Sequence, residues 1–426
     1  MTTVQYAPFR VTAVRSREIL DSRGRPTVAV ALEVDDHPGA AAVPSGASTG
    51  KAEAVELRDG DPTRFGGAGV TRAVGSVNGE IAALLASRTF ASLAEVDAAL
   101  RDLDGTPNKA RLGANAIVGT SMALARALAA RAGLPLYRYL QPEGVTPRLP
   151  VPHFNVLNGG AHAPNRLEFQ EFMIAPVGAP TMADAVRAGA EVYAALRARL
   201  KDAGLATGLG DEGGFAPEID RPEEALDHLV AAITAAGYEP STSGVAIALD
   251  PASSQFFDAG RYHVGGAALT AEELTDRYAE MIDRYPIWSL EDGMAEDDLD
   301  GWLVHSKRLA GKVQIMGDDN LVTDPVRIQT AIDRHQGNAA LIKLNQIGTV
   351  TETLDAIATC GAADWGAMVS HRSGETTDDF IADLVVATGT GQIKSGAPAR
   401  GERVAKYNRL MEIAAIDPSL PYGLIR

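Results

Sequence analysis

Val245-Ala-Ile-Ala-Leu-Asp250, Pro286-Ile-Trp-Ser-Leu-Glu291 and Val313-Gln-Ile-Met-Gly-Asp318 share one design: a short apolar run that ends on a carboxylate. Ala339-Ala-Leu-Ile-Lys343, Gly366-Ala-Met-Val-Ser-His371 and Gly391-Gln-Ile-Lys394 repeat it with a cation or an imidazole at the end. The six end residues are spaced by 41, 27, 25, 28 and 23 positions. A strand, its loop, a helix and the return turn occupy about 25–40 residues, so the spacing predicts successive βα units. Parallel strands covered on both faces are apolar throughout, as these are. A closed barrel of such strands gathers the residues at its strand ends around one mouth. Asp250, Glu291, Asp318, Lys343, His371 and Lys394 then face one small volume. Like charges buried together are costly, and a cation relieves them. An all-carboxylate set suits a hard ion such as Mg2+ rather than zinc.

Outward from this stretch, the chain is long enough for two domains. Of its 426 residues 46% are hydrophobic, which supports large cores. There are 55 acidic and 39 basic residues, a net charge of −16, which argues against nucleic acid or an anionic membrane as the main partner. The only cysteine, Cys360, rules out an intrachain disulfide and fits a reducing cytoplasm. No N-terminal signal pattern or membrane-spanning run is visible, so a cytoplasmic location is expected.

Toward the N-terminus, Thr27 to Val34 alternates as a half-buried strand with Val28, Val30, Leu32 and Val34 on one face. Ser45-Gly-Ala-Ser-Thr-Gly50 reads as a loop with accessible backbone. Ser92 and Glu95 form a capping box, and Ala114 to Ala132 reads as a helix stopped by Gly133 and Pro135. Gln141 to Pro147 is the best linker, so the expected division is an α+β domain over 1–142 and a barrel domain over 143–426. In the second part, apolar strands over Val151–Leu157 and Phe169–Ile174 lead into Asn158-Gly-Gly-Ala-His162 and contain Gln170 and Glu171. Glu212 lies among glycines in Gly210-Asp-Glu-Gly-Gly-Phe-Ala-Pro217. A second capping box, Thr270 with Glu273, opens a helix to about Arg284.

These motifs together resemble the enolase family along the whole chain. The matching pieces are Arg17–Thr27, Ser45–Gly50, Asn158–His162, Gln170–Pro176, Gly210–Pro217, Asp250, Glu291-Asp292, Gly317-Asp318-Asp319, Lys343–Gly348, Ser370–Thr376 and Gly391–Arg400. The resemblance implies an enolase-type α/β barrel, TIM-like with irregular first units, capped by an N-terminal α+β domain. It implies reversible dehydration of 2-phosphoglycerate to phosphoenolpyruvate with two Mg2+ ions, the second arriving with substrate. By resemblance Lys343 is the base at C2, and Glu212, with Glu171 beside it, is the acid at C3. Asp250, Glu291 and Asp318 hold the first ion, and Ser48 touches the second. Arg372 and Ser373 bind phosphate and Lys394 binds the carboxylate. His162, Gln170 and His371 close on the substrate. Cations around Lys343 are expected to lower its pKa, and carboxylates around Glu212 to keep it protonated. A homodimer or octamer of dimers is implied.

The chain departs from the family pattern at Arg25, Pro164, Gln255, Gly293 and Asn320, none of them a proposed catalytic group. A specialised homologue, similar to carboxyphosphonoenolpyruvate synthase of phosphonate pathways, is the alternative expectation. A non-catalytic binding protein is a third, disfavoured because every proposed catalytic residue is present.

Overall fold

A computed structural model describes residues 7–46 and 50–424. Three strands open the chain as an antiparallel meander, β1 (Val11–Leu20), β2 (Pro26–Val34) and β3 (His37–Ala42). Only β2 follows from the sequence pattern, and it is more buried than a half-covered strand, because Thr27 and Ala29 lie inside along with the valines. The helix Ala114–Ala132 packs against this sheet. Contact is close enough that a Cβ on Gly39 would come 2.0 Å from the Ala123 carbonyl, and one on Gly119 would come 2.9 Å from Val30. Small residues at these positions let helix and sheet meet.

The Thr270–Glu273 capping box is complete. The Ser92 box is not reciprocal at Ser92. Ser92 accepts from the Glu95 N–H, but the Glu95 carboxylate reaches back to the N–H of Ala91 at 2.7 Å.

Among the described residues, eight strands close into a barrel in chain order: β4 (Val151–Asn158), β5 (Glu171–Ala175), β6 (Ala246–Asp250), β10 (Ile287–Glu291), β11 (Gln314–Gly317), β12 (Ala339–Ile342), β13 (Gly366–Ser370) and β14 (Gln392–Lys394). A small sheet of β7 (Phe257–Asp258), β8 (Arg261–Val264) and β9 (Ala267–Leu269) hangs on the β6–β10 connection. Each of the six runs that end on Asp250, Glu291, Asp318, Lys343, His371 and Lys394 is a barrel strand, and the end residue lies at its C-terminal end or one position beyond. The exception to the βα rhythm is β5, which runs antiparallel to both neighbours. Glu171, at its start, therefore pairs with Asn158 and Asp250 at the ends of theirs.

The first domain covers the barrel mouth. Ser45 and Gly374 exchange backbone hydrogen bonds of 2.7 and 2.9 Å. Arg126 grips Asp378 with bonds of 2.7 and 2.9 Å, and the buried Asp97 accepts from the N–H and hydroxyl of Thr351. Cys360 is fully buried core. No helix among the described residues is long and apolar enough to cross a membrane.

Candidate active site

The ends of the barrel strands line one narrow cavity. Into it face His162, Gln170, Glu171, Glu212, Asp250, Asp318, Lys343, His371, Arg372, Ser373 and Lys394. Glu291 joins them through Lys394, whose ammonium lies 2.7 Å from Glu291, 3.3 Å from Glu171 and 3.4 Å from Asp250. Burial alone would discharge this lysine, but the surrounding carboxylates hold its pKa well above the ordinary lysine value. Ser48, expected at a second ion, lies outside the described residues.

The predicted carboxylate trio is assembled with two ammonium groups among its oxygens. Asp250 and Glu291 share Lys394, while Asp318 bonds Lys343 through one oxygen and Gln346 (2.8 Å) through the other. Glu291 Oε2 is buried with no hydrogen-bond partner. An all-oxygen donor set with an unsatisfied buried acceptor fits a hard divalent cation. Among the described residues two groupings bring three ligand atoms within 4.8 Å of one another: His162 with Glu171 and Glu212, and Asp292 with Asp318 and Asp319. Asp292 also accepts the N–H groups of Asp318 (2.8 Å) and Asp319 (3.1 Å), which fixes the end of β11.

Two electrostatic expectations meet opposing neighbours in this geometry. Lys343 was expected to be discharged by nearby cations. Burial does push that way, but the touching Asp318 carboxylate outweighs it, and the Lys343 pKa stands above the ordinary value. Glu212 was expected to hold a proton. Burial favours that, yet the His371 Nε2–H aimed at its Oε2 and the Arg403 charge behind it oppose burial and hold Glu212 below the carboxylate range. Asn155 Nδ2 adds a hydrogen bond of 2.9 Å to Glu212. The proton of the pair belongs to Glu171, which burial and the neighbouring Glu212 push well above its usual value despite Lys394.

Around this centre, His162 points Nε2 toward Glu212 at 3.7 Å and Nδ1 toward Glu171 at 3.9 Å, both longer than a hydrogen bond. Burial lowers its pKa. Gln170 is held by Gln255, whose Nε2 donates to Gln170 Oε1 at 2.5 Å. Arg372 is clamped by both oxygens of Glu53 (2.9 and 3.1 Å) and by Asn345 (2.8 Å). The Ser373 hydroxyl lies 3.5 Å from Arg23 of the first domain. Asn155, Glu53, Asp292 and Arg403 were not anticipated. Asn155 sits mid-strand and Arg403 in the first turn of its helix, with no motif to mark either, whereas Asp292 stands next to Glu291 in a quoted motif.

The sequence falls under two family models. The enolase N-terminal domain matches residues 11–140, and the enolase C-terminal TIM barrel domain matches residues 146–417. Enolase 1 of Methylococcus capsulatus is 55% identical over 408 residues, 95% of this chain and 96% of its own. The enolase of Acidothermus cellulolyticus is 55% identical over 404 residues (95% and 94%), and that of Rubrobacter xylanophilus 52% over 419 residues (96% and 97%). With a barrel whose only reversed strand brings Glu171 to the mouth, both halves matched, and this identity sustained from end to end, the chain belongs to the enolase family.

Proposed function

We propose that this protein is a hydro-lyase that converts 2-phosphoglycerate reversibly into phosphoenolpyruvate and water. The observation that carries the reading is 52–55% identity along nearly the whole chain to proteins named enolase, which supports it over the phosphonate-pathway alternative.

In this reading Lys343 first takes the proton from C2, leaving the electron pair delocalised into the substrate carboxylate, and in a second step that pair forms the C2–C3 double bond as the C3–O bond breaks. The departing hydroxide takes a proton from the Glu171–Glu212 pair, where Glu171 holds it at rest. Lys343 is charged against Asp318 at rest, so it becomes a base when the Asp318 charge is taken up elsewhere. Asp250, Glu291 and Asp318 would hold a divalent cation, proposed to be Mg2+, and Ser48 would touch a second that comes with substrate. Bound there, the ions supply positive charge beside the groups of the substrate where negative charge builds. Arg372 exchanges Glu53 for the phosphate, with Ser373 beside it. Lys394 holds the carboxylate, and His162, Gln170 and His371 close the pocket against water.

The test is recovery of 2-phosphoglycerate after incubation in deuterated buffer. Lys343→Ala loses both turnover and C2 exchange, whereas Glu212→Gln loses turnover by about 10²–10⁴-fold and keeps exchange. Brisk exchange in Lys343→Ala removes Lys343 from the base role.

We propose the domain division near residue 142, supported by the gap between the two matched regions. A homodimer or octamer of dimers in the cytoplasm is proposed on the family resemblance and the single buried cysteine. Sedimentation tests the first part.

A further inference from the structure

Arg403 belongs to the helix Gly401–Ile416 outside the barrel, yet it is wholly buried and reaches the mouth. One terminal nitrogen donates to His371 Nδ1 at 2.5 Å and to the Arg372 carbonyl at 2.7 Å. The other donates to the carbonyls of Ser373 (2.6 Å) and Asp211 (3.1 Å), and to the Ser22 hydroxyl at 3.4 Å. A guanidinium has donors only, so His371 Nδ1 must accept. A neutral imidazole accepting at Nδ1 carries its hydrogen on Nε2, and that nitrogen faces Glu212 Oε2 at 3.3 Å. The charged groups facing His371 are therefore Glu212 and Arg403, with Lys394 farther off.

We propose that Arg403 is a positioning residue: it fixes His371 as the neutral Nε2–H tautomer aimed at Glu212, and ties the Arg372–Ser373 loop to the Glu212 loop. The catalytic half of this rests on reading Glu212 as part of the acid pair. A proton on Nδ1 would meet the guanidinium hydrogens head-on. Burial, with the Arg403 charge adding to it, keeps His371 neutral, its pKa pushed down to about 3. Glu212 thus receives a hydrogen bond rather than a mobile proton, which leaves the resting proton on Glu171.

The test is nitrogen NMR of histidine-labelled full-length protein. His371 gives a pyridine-type Nδ1 and a protonated Nε2, unchanged across about pH 5.5–8. In Arg403→Met, His371 populates the other tautomer or titrates within that range, and the pH profile of kcat gains an ionisation not seen in the wild type. The loss in kcat is at least about tenfold, short of the full loss of about 10²–10⁴ that removal of a proton-transfer group itself brings, and exceeds the change in KM. Arg403→Lys keeps a donor for Nδ1 and restores the His371 signal in part. A purely structural role predicts lower stability with an unchanged His371 spectrum, and that result overturns the proposal. So does an Nδ1–H or imidazolium form in the wild type. If Arg403→Met does not fold, the wild-type spectrum and Arg403→Lys decide. The spectrum does not depend on turnover, so a protein inactive toward 2-phosphoglycerate would refute the proposed function without touching the tautomer.

Discussion

Lys394→Met isolates the role of the central ammonium, because methionine keeps the apolar stem and removes only the charge. The lysine side chain is 3% exposed and lies within 3.4 Å of Glu171, Asp250 and Glu291. Without it, three carboxylates face one another in a site that excludes water. Removing one partner of a buried ion pair costs about 3–5 kcal/mol, most of it the charge left behind. Unfolding entropy of about 2 cal/mol/K per residue turns that into a fall of about 3–6 °C in melting temperature for a chain of this length. A divalent cation offsets the loss. At 100 times its Kd it contributes about 2.7 kcal/mol, and in the variant it meets no competing ammonium. Scanning calorimetry at pH 7, with and without Mg2+, reads both effects, and Mg2+ lifts the variant more than the wild type. If the variant melts within about 1 °C of the wild type without metal, or Mg2+ lifts both equally, Lys394 does not balance these carboxylates.

Asp318→Asn removes one oxygen charge from the proposed ion site along with the partner of Lys343, so Mg2+ affinity falls while the fold persists. Isothermal calorimetry checks it, and unchanged affinity takes Asp318 out of the ligand set. Asp97 concerns stability rather than catalysis. Burial raises its pKa from 3.8 to about 6 against its hydrogen bonds to Thr351. A carboxyl raised on folding favours the folded state when protonated, so stability is lost as pH rises from about 4 to about 6 and stays lost above that. Asp97→Asn flattens this part of the melting curve against pH, and the gain at pH 7 is at most about 3 kcal/mol. Hydrogen exchange at Gly46 and Gly50, on either side of Ser48, slows when Mg2+ and a substrate analogue are added. Equal exchange with and without them refutes a response to substrate at these two glycines.

The barrel was legible because a strand buried on both faces has to be apolar, so the polar residue that ends it stands out. Lys343 and His371 could be found this way without knowing any partner. β1 was not, since Arg15, Arg17 and Glu18 interrupt its apolar residues and most of its positions are partly exposed. β3 opens on His37-Pro38-Gly39, which reads as a turn. The reversal of β5 has no signature in periodicity, because a strand looks the same in either direction. In the site, residue types announced a charged cluster but not who holds the proton. That depends on Asn155, His371 and Arg403 converging on Glu212 from three separate elements, and no local pattern records such a meeting.

The hairpin of β4 and β5 breaks the repeat from which the rest of the barrel is built. In an all-parallel barrel, one half can be copied and joined to itself, and each half brings the same share of the rim. Here the link between β4 and β5, with His162 in it, turns back at the mouth instead of crossing beneath the sheet. A duplicated C-terminal half would close a ring of strands but would contain neither Glu171 nor the His162 loop. New chain ends placed in the turns at the far end of the parallel strands would leave this rim continuous, whereas ends opened between residues 159 and 170 would cut the active site itself.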